Sequence, residues 1–165
     1  MTSAFKHNAY IALGSNLQDP VHQVNSALFA IAKHRNIQLA KASSLYVTAP
    51  VGYNNQPDFI NAVAEVHTNL SPLDLLQAML AIENAHGRER PFPNAPRVLD
   101  CDVLLYDDVI LQTRELTLPH PRMLMRGFVM IPLYEIAPDL MINGVPLQKL
   151  MRTELQQDIK KYESN

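Results

Sequence analysis

The chain lacks most of the features that mark the commonest function classes. It has one cysteine, Cys101, so no intrachain disulfide can form and nothing demands an oxidising compartment. It has no basic excess: 14 Lys and Arg stand against 16 Asp and Glu, for a net charge of −2. That argues against a protein that coats nucleic acid. No run of about 18 apolar residues exists, so no membrane span is expected. The first residues, Met1-Thr2-Ser3-Ala4-Phe5-Lys6-His7, contain no apolar signal-peptide region, and the cytoplasm is the expected compartment. There is no G-x-x-x-x-G-K-[ST] or G-x-G-x-x-G phosphate loop, no G-x-S-x-G elbow and no zinc-type Cys/His spacing. What is present suits a globular chain: 165 residues, 47% hydrophobic and 18% charged. That length fits one domain, taken here as residues 1–165.

Hydrophobic spacing and turn residues divide the chain. Asn8–Leu13 reads as a strand, followed by a Gly14-Ser15-Asn16 turn. Pro20 to about Lys33 reads as a helix, with Val21, Val24, Leu28 and Ile31 on one stripe and Asp19 as its cap. Ile37–Val47 reads as a second strand, Ala49–Pro57 as a loop and Asp58–Thr68 as a third strand. Ser71-Pro72-Leu73-Asp74 opens a second helix, striped by Leu75, Leu76, Met79, Leu80 and Ile82 and ended by Gly87. A proline-rich loop, Arg88–Arg97, leads into strand Val98–Tyr106. Short strands are expected near Val109–Leu111 and Leu116–Leu118, then a helix over Gly127–Ala137 with Pro132 as a misfit. The tail carries no clear motif. The order β-α-β-β-α-β predicts an α+β fold: a ferredoxin-like βαββαβ core, an antiparallel sheet flanked by helices, with C-terminal additions.

One strand is chemically out of place. In Val98-Leu99-Asp100-Cys101-Asp102-Val103-Leu104-Leu105, two acids interrupt a face that is apolar at both ends. Strand residues i and i+2 share a face, so Asp100 and Asp102 project together from bases roughly 6–7 Å apart. Two such carboxylates repel and lose hydration unless a cation joins them. A hard divalent ion fits, because it takes carboxylate oxygens and often binds with substrate phosphates. Cys101 alternates to the opposite face and reads as a small core residue.

The surroundings fit a polyphosphate. Six of the eight arginines (Arg88, Arg90, Arg97, Arg114, Arg122 and Arg126) fall between positions 88 and 126, where there is no lysine. Arginine's planar fork suits bidentate binding of phosphate oxygens. A solvated surface accounts for any one of them, Arg114 and Arg122 first, and less well for the cluster. His120, in the rigid corner Leu118-Pro119-His120-Pro121, is a candidate phosphate donor. Phe59 and Asn61 share a strand face, and an aromatic plane beside an amide suits a flat, hydrogen-bonding heterocycle.

Taken in order, several segments resemble the 6-hydroxymethyl-7,8-dihydropterin pyrophosphokinase (HPPK) family of folate biosynthesis. They are Tyr10-Ile11-Ala12-Leu13-Gly14-Ser15-Asn16-Leu17, Gln56-Pro57-Asp58-Phe59-Ile60-Asn61 and Gly87-Arg88-Glu89-Arg90. Pro96-Arg97-Val98-Leu99-Asp100-Cys101-Asp102 and Pro119-His120 with Arg126-Gly127-Phe128 complete the set, over about residues 9–140.

The resemblance implies transfer of the β,γ-pyrophosphoryl group of ATP to the pterin's hydroxymethyl oxygen, releasing AMP. It implies that Asp100 and Asp102 hold two Mg²⁺ ions on the ATP phosphates. Arg88, Arg97, His120 and Arg126 would position the phosphates, and Arg90 would help close the Arg88–Arg97 loop as a lid. Glu83, Val103 and Thr117 match nucleotide-side positions. Phe59 and Phe128 would sandwich the pterin, with Asn61 on its edge and Thr48, Ala49, Val51 and Asp100 completing the pocket. Gly14-Ser15-Asn16 is expected to be structural. ATP and the pterin are then the partners of a monomer. Many members carry tryptophan and Gly-Pro-Arg-Thr where this chain has Phe92-Pro93-Asn94-Ala95-Pro96-Arg97-Val98. Leu80 replaces a glutamine and Glu115 an arginine found in some members. The residues alone also admit another Mg²⁺-dependent nucleotidyl-transfer enzyme or nuclease, or a non-enzymatic ferredoxin-like module whose acids hold a structural cation.

Overall fold

The structure, a computed structural model, describes residues 5–49, 57–87, 98–156 and 158–163. Its elements are β1 (His7–Ser15), α1 (Pro20–Lys33), β2 (Ile37–Ala42), β3 (Tyr46–Thr48), β4 (Phe59–Thr68), α2 (Pro72–Ala85) and β5 (Asp100–Tyr106). After them come β6 (Leu111–Gln112), β7 (Thr117–Leu118), a 3₁₀ turn (Met123–Met125) and α3 (Gly127–Ile136). The chain continues through β8 (Met141–Ile142), β9 (Val145–Pro146), α4 (Leu147–Leu150), a second 3₁₀ turn (Thr153–Gln156) and β10 (Ile159–Lys161). The main sheet runs β10-β3-β4-β1-β5, with β2 also paired to β4, and every pairing is antiparallel. With β2 and β3 taken as one interrupted strand, this is the expected βαββαβ arrangement.

The helix ends follow their capping chemistry. Ser71 accepts a hydrogen bond from Asp74 N at 3.1 Å and Pro72 opens α2, its missing N–H falling where no helical partner exists. Asp19 caps α1 from a left-handed conformation, φ 61°, over a longer 3.4 Å bond from His22 N. His86 closes α2 by bonding Ile82 O at 2.8 Å, and its other ring nitrogen meets Ser26 Oγ of α1 at 2.9 Å.

The expected single strand Ile37–Val47 is interrupted between β2 and β3. Ser43 is the cause: its hydroxyl accepts from Val63 N at 2.9 Å, and its own N–H donates to Val63 O at 2.9 Å. A side chain thus does there what a backbone carbonyl does elsewhere in the ladder.

Both faces of the sheet are covered. On one, α1 and α2 bury Val24, Ala27, Ile31, Leu75, Met79 and Ile82 against Ala9, Ile11 and Leu13. On the other, α3 and the C-terminal segments bury Met130, Leu133, Leu147 and Leu155 against Tyr10, Ala12 and Val63. Pro132 sits inside α3 and removes one helical bond, but Val129, Met130, Leu133 and Ile136 hold that helix in the second core. Simple alternation along β5 also fails. Tyr10 pairs with Leu105 and Ile11 with Val103, so Leu104 is a bulge. Leu104 and Leu105 both join the second core, and Tyr106 takes the place expected for Leu105 beside Cys101 and Val103.

The tail, unread in the sequence, extends the sheet. β10 pairs with β3, and Tyr162 N donates to Leu45 O at 2.8 Å. Glu135, late in α3, accepts from Ser44 N at 3.1 Å, Ser44 Oγ at 2.8 Å and Tyr46 Oη at 2.6 Å. Burial pushes that carboxyl up, but these bonds and the nearby Lys161 charge outweigh it and hold it below its usual 4.5. So α3 is fastened to β3, and both elements carry residues of the site.

Candidate active site

The site grows from two rows across the sheet. In one, Gly14 of β1 lies between Asn61 of β4 and Asp100 of β5; in the next, Ala12 lies between Val63 and Asp102. Strand parity puts Asn61, Asp100 and Asp102 on the face that α3 covers. There the start of α3 stands off the sheet and leaves a slot of about 250 Å³. Ala12, Leu13 and Gly14 form its floor, Asp100 and Asp102 one wall, and Thr48, Ala49, Phe59 and Asn61 the other, with Arg126 and Phe128 across from the sheet.

The slot has one flat wall and one oriented amide. Asn61 is 5% exposed and its Nδ2 donates to Thr48 Oγ1 at 2.7 Å. That buried bond is worth about 1 kcal/mol and turns Oδ1 into the side chain's remaining acceptor. The Arg126 guanidinium lies 5.5 Å from the Phe128 ring centre, a cation–π contact that holds the two together.

A second cavity of about 230 Å³ opens on the other side of Asp102. Leu76, Val103, Leu116, Thr117, Pro121 and His120 line it, with Arg114 and Glu115. His120 N donates to Leu104 O at 2.9 Å, which ties the residue to the bulge of β5. Its Nδ1 accepts from Arg122 N at 3.2 Å, so the neutral ring carries its proton on Nε2. Burial, then the charges of Arg126 and Arg122, hold this imidazole below its usual 6.5. Asp102 lines both cavities.

Asp100 and Asp102 are both half-buried. Among the described residues, no group of three or more His, Cys, Asp and Glu side chains is arranged to hold a metal ion. Two carboxylates leave most of an octahedral shell to other oxygens. The donor set therefore fits a Mg²⁺ that arrives with a polyphosphate better than a permanent all-protein site. Cys101, 3% exposed, has its thiol pushed well above its usual range, first by burial and then by Glu83, Asp102 and Asp100. It is a core residue and not a nucleophile.

Of the residues singled out from the sequence, Thr48, Ala49, Phe59, Asn61, Asp100, Asp102, Arg126 and Phe128 meet in the slot. Val103, Thr117 and His120 meet in the second cavity. Glu83 lines neither: it is 2% exposed on α2, where its Oε2 accepts from Cys101 N at 2.7 Å. Val51, Arg88, Arg90 and Arg97 lie outside the described residues, as does most of each expected loop. Sequence reading missed the floor. Gly14, taken for a turn, is a strand residue in the middle of the site. Arg114, taken for a surface charge, is exposed but forms the rim of the second cavity.

The sequence model of 7,8-dihydro-6-hydroxymethylpterin-pyrophosphokinase (HPPK) matches residues 10–138. The chain is 50% identical over 134 residues to the 2-amino-4-hydroxy-6-hydroxymethyldihydropteridine pyrophosphokinase of Haemophilus influenzae, covering 81% of this chain and 84% of that one. With the Pseudomonas aeruginosa protein of the same name it shares 45% over 143 residues, 86% and 88% of the two chains. A solved HPPK-DHPS in complex with substrates superposes with a TM-score of 0.75 at 11% identity, a likeness of fold alone. It covers 96% of this chain and 47% of that one, so the chain spans about half the length of the solved protein.

Proposed function

The chain belongs to the 7,8-dihydro-6-hydroxymethylpterin-pyrophosphokinase (HPPK) family, and from that membership we propose how the slot and the second cavity divide the reaction. The activity is transfer of pyrophosphate from ATP to 6-hydroxymethyl-7,8-dihydropterin, a step of folate biosynthesis. The slot takes the pterin and the second cavity the nucleotide. One observation carries this division: Asp102 lines both. Phosphates reaching from the second cavity towards the slot must therefore pass the Asp100/Asp102 pair.

In the slot, Phe128 and Phe59 offer aromatic faces to the ring, and Asn61 Oδ1 accepts from an N–H on its edge. Thr48 keeps that amide from rotating. The hydroxymethyl oxygen then points to the carboxylate wall. A bond forms from this oxygen to the β-phosphorus, the bond from that phosphorus to the oxygen bridging the α-phosphate breaks, AMP leaves, and the hydroxyl proton passes to solvent. Catalysis of this kind rests on in-line placement and charge neutralisation. Arg126 supplies charge at the junction, and His120 donates Nε2–H to a phosphate oxygen. Arg88, Arg90 and Arg97 are assigned to the same phosphates through the family resemblance. Asp100 and Asp102 would hold Mg²⁺, two ions in this reading, and the bound metal would supply neutralisation of phosphate charge. No described helix is long and apolar enough to cross a membrane; a cytoplasmic monomer is the form proposed.

The test is nucleotide analysis after incubation with ATP, Mg²⁺ and the reduced pterin alcohol. AMP should accumulate only when pterin is present, and EDTA should abolish it. Inorganic pyrophosphate released in its place would indicate nucleotidyl transfer, and no turnover would indicate a binding module; either result overturns the reading.

A further inference from the structure

Glu83 is a buried carboxylate that the reaction as described does not touch. It is 2% exposed and lies on the helix side of the sheet, outside both cavities. Burying a carboxylate is costly unless hydrogen bonds replace its hydration. One such bond is short: Glu83 Oε2 accepts from Cys101 N at 2.7 Å.

The position of that donor matters. β5 ends the sheet order, so among the described strands it has a neighbour, β1, on one side only. An edge strand leaves alternate N–H groups without a ladder partner. The Cys101 N–H is one of these and points towards α2. Cys101 is also the residue between the two acids, and the peptide unit carrying this N–H includes the carbonyl of Asp100. Its plane sets ψ of Asp100 and φ of Cys101, and so the directions of both carboxylates. Strands twist by about 20° relative to their neighbours. A swing of that size at a loosely held edge would move a carboxylate by about 1 Å, a misplacement that can cost on the order of 100-fold in rate.

We propose that Glu83 is a positioning residue for the Asp100/Asp102 pair: by holding the Cys101 N–H it fixes the peptide from which both carboxylates are aimed. The proposal rests on the reading of that pair as the phosphate-side cation site. It assigns Glu83 a hydrogen-bonding reach, and the charge is incidental.

Reach and charge are separated by two conservative variants. Glu83→Gln keeps an oxygen at the same distance and loses the charge. Glu83→Asp keeps the charge and withdraws it by one methylene. E83Q should retain kcat within about threefold of wild type, whereas E83D should lose at least tenfold, with the pterin KM within twofold in both. Binding of Mg²⁺ with α,β-methylene ATP, followed by calorimetry, should weaken at least tenfold in E83D and less than threefold in E83Q. The Cys101 amide should exchange with solvent at least tenfold faster in E83D than in E83Q. If E83D equals or exceeds E83Q in kcat and metal–nucleotide affinity, or if Cys101 exchange is the same in both, the positioning role is wrong. If wild type forms no AMP, the functional reading falls, and the exchange and binding contrasts still decide the role of Glu83.

Discussion

A methyl group on Gly14 would come within 2.8 Å of Asn61 Oδ1. The register explains why: Gly14 lies directly between Asn61 and Asp100, and only a bare backbone leaves the amide oxygen room above the sheet. Gly14→Ala should therefore displace that oxygen and raise the pterin KM about tenfold, equivalent to about 1.4 kcal/mol, while the ATP KM stays within twofold. Steady-state kinetics with each substrate varied in turn would check this; an unchanged pterin KM would remove Gly14 from the recognition surface. His120 poses a different residue-scale question, its protonation. Burial and then Arg126 and Arg122 lower its pKa below 6.5, so it binds fewer protons folded than unfolded at slightly acid pH. Its contribution to stability is then full above about 6.5 and is lost as pH falls through the folded value. In ¹⁵N NMR the free protein should show the Nε2–H tautomer and a His120 midpoint below 6.5; an Nδ1–H ring would contradict the Arg122 N–H bond, and a higher midpoint the effect of burial and the two arginine charges. Asp100, Asp102, Phe59, Arg126 and His120 stand out from composition and spacing, whereas Phe128 is reached only through the family resemblance. Gly14 does not stand out, because a glycine's close approach depends on what faces it across a strand pair, and no local pattern encodes that.

At the scale of elements, legibility tracked how local the determining interactions are. α1 and α2 run from Pro20 to Lys33 and from Pro72 to Ala85, close to the expected bounds. An N-cap and an N1 proline act within one turn and can be read from four residues. The interruption after β2 depends on Ser43 reaching Val63, and the Leu104 bulge on pairing with β1; both are tertiary and escaped the pattern. The same distinction applies to the start of α3. A Cβ on Gly127 would run into the backbone carbonyl of Leu155, and backbone cannot give way as a side chain can. Gly127→Ala should cost about 1–3 kcal/mol as an overpacking strain and should also lower activity, since Arg126 and Phe128 flank the residue. Denaturant unfolding would measure the first effect. A variant as stable as wild type would show that the second 3₁₀ turn can move away from α3 without loss.

At the scale of the whole molecule, the two proposed substrate sites hang on different parts of the fold. The second cavity is built by α2 and β5 of the βαββαβ core together with the segment from Arg114 to Pro121 that follows it, and β10 pairs with none of these. The slot additionally needs β3 and the start of α3, which the C-terminal segments hold. β10 pairs Ile159 with Thr48 and Lys161 with Tyr46, and Ala49 N donates to Asp158 O at 3.4 Å. This three-residue strand is too short for alternation to be read from sequence, yet it lies against the wall that carries Thr48 and Ala49. Removing residues 159–165 should therefore act unequally. Leu155 stays in the second core, so the protein should fold with a modestly lower Tm. β3 becomes an edge, and the Thr48 end of the slot loses its outer support. The pterin KM should rise at least fivefold, while the affinity for Mg²⁺ with α,β-methylene ATP stays within twofold. Equal losses for both substrates would mean that the truncation perturbs the sheet as a unit, and that the slot and the nucleotide cavity are not separately supported.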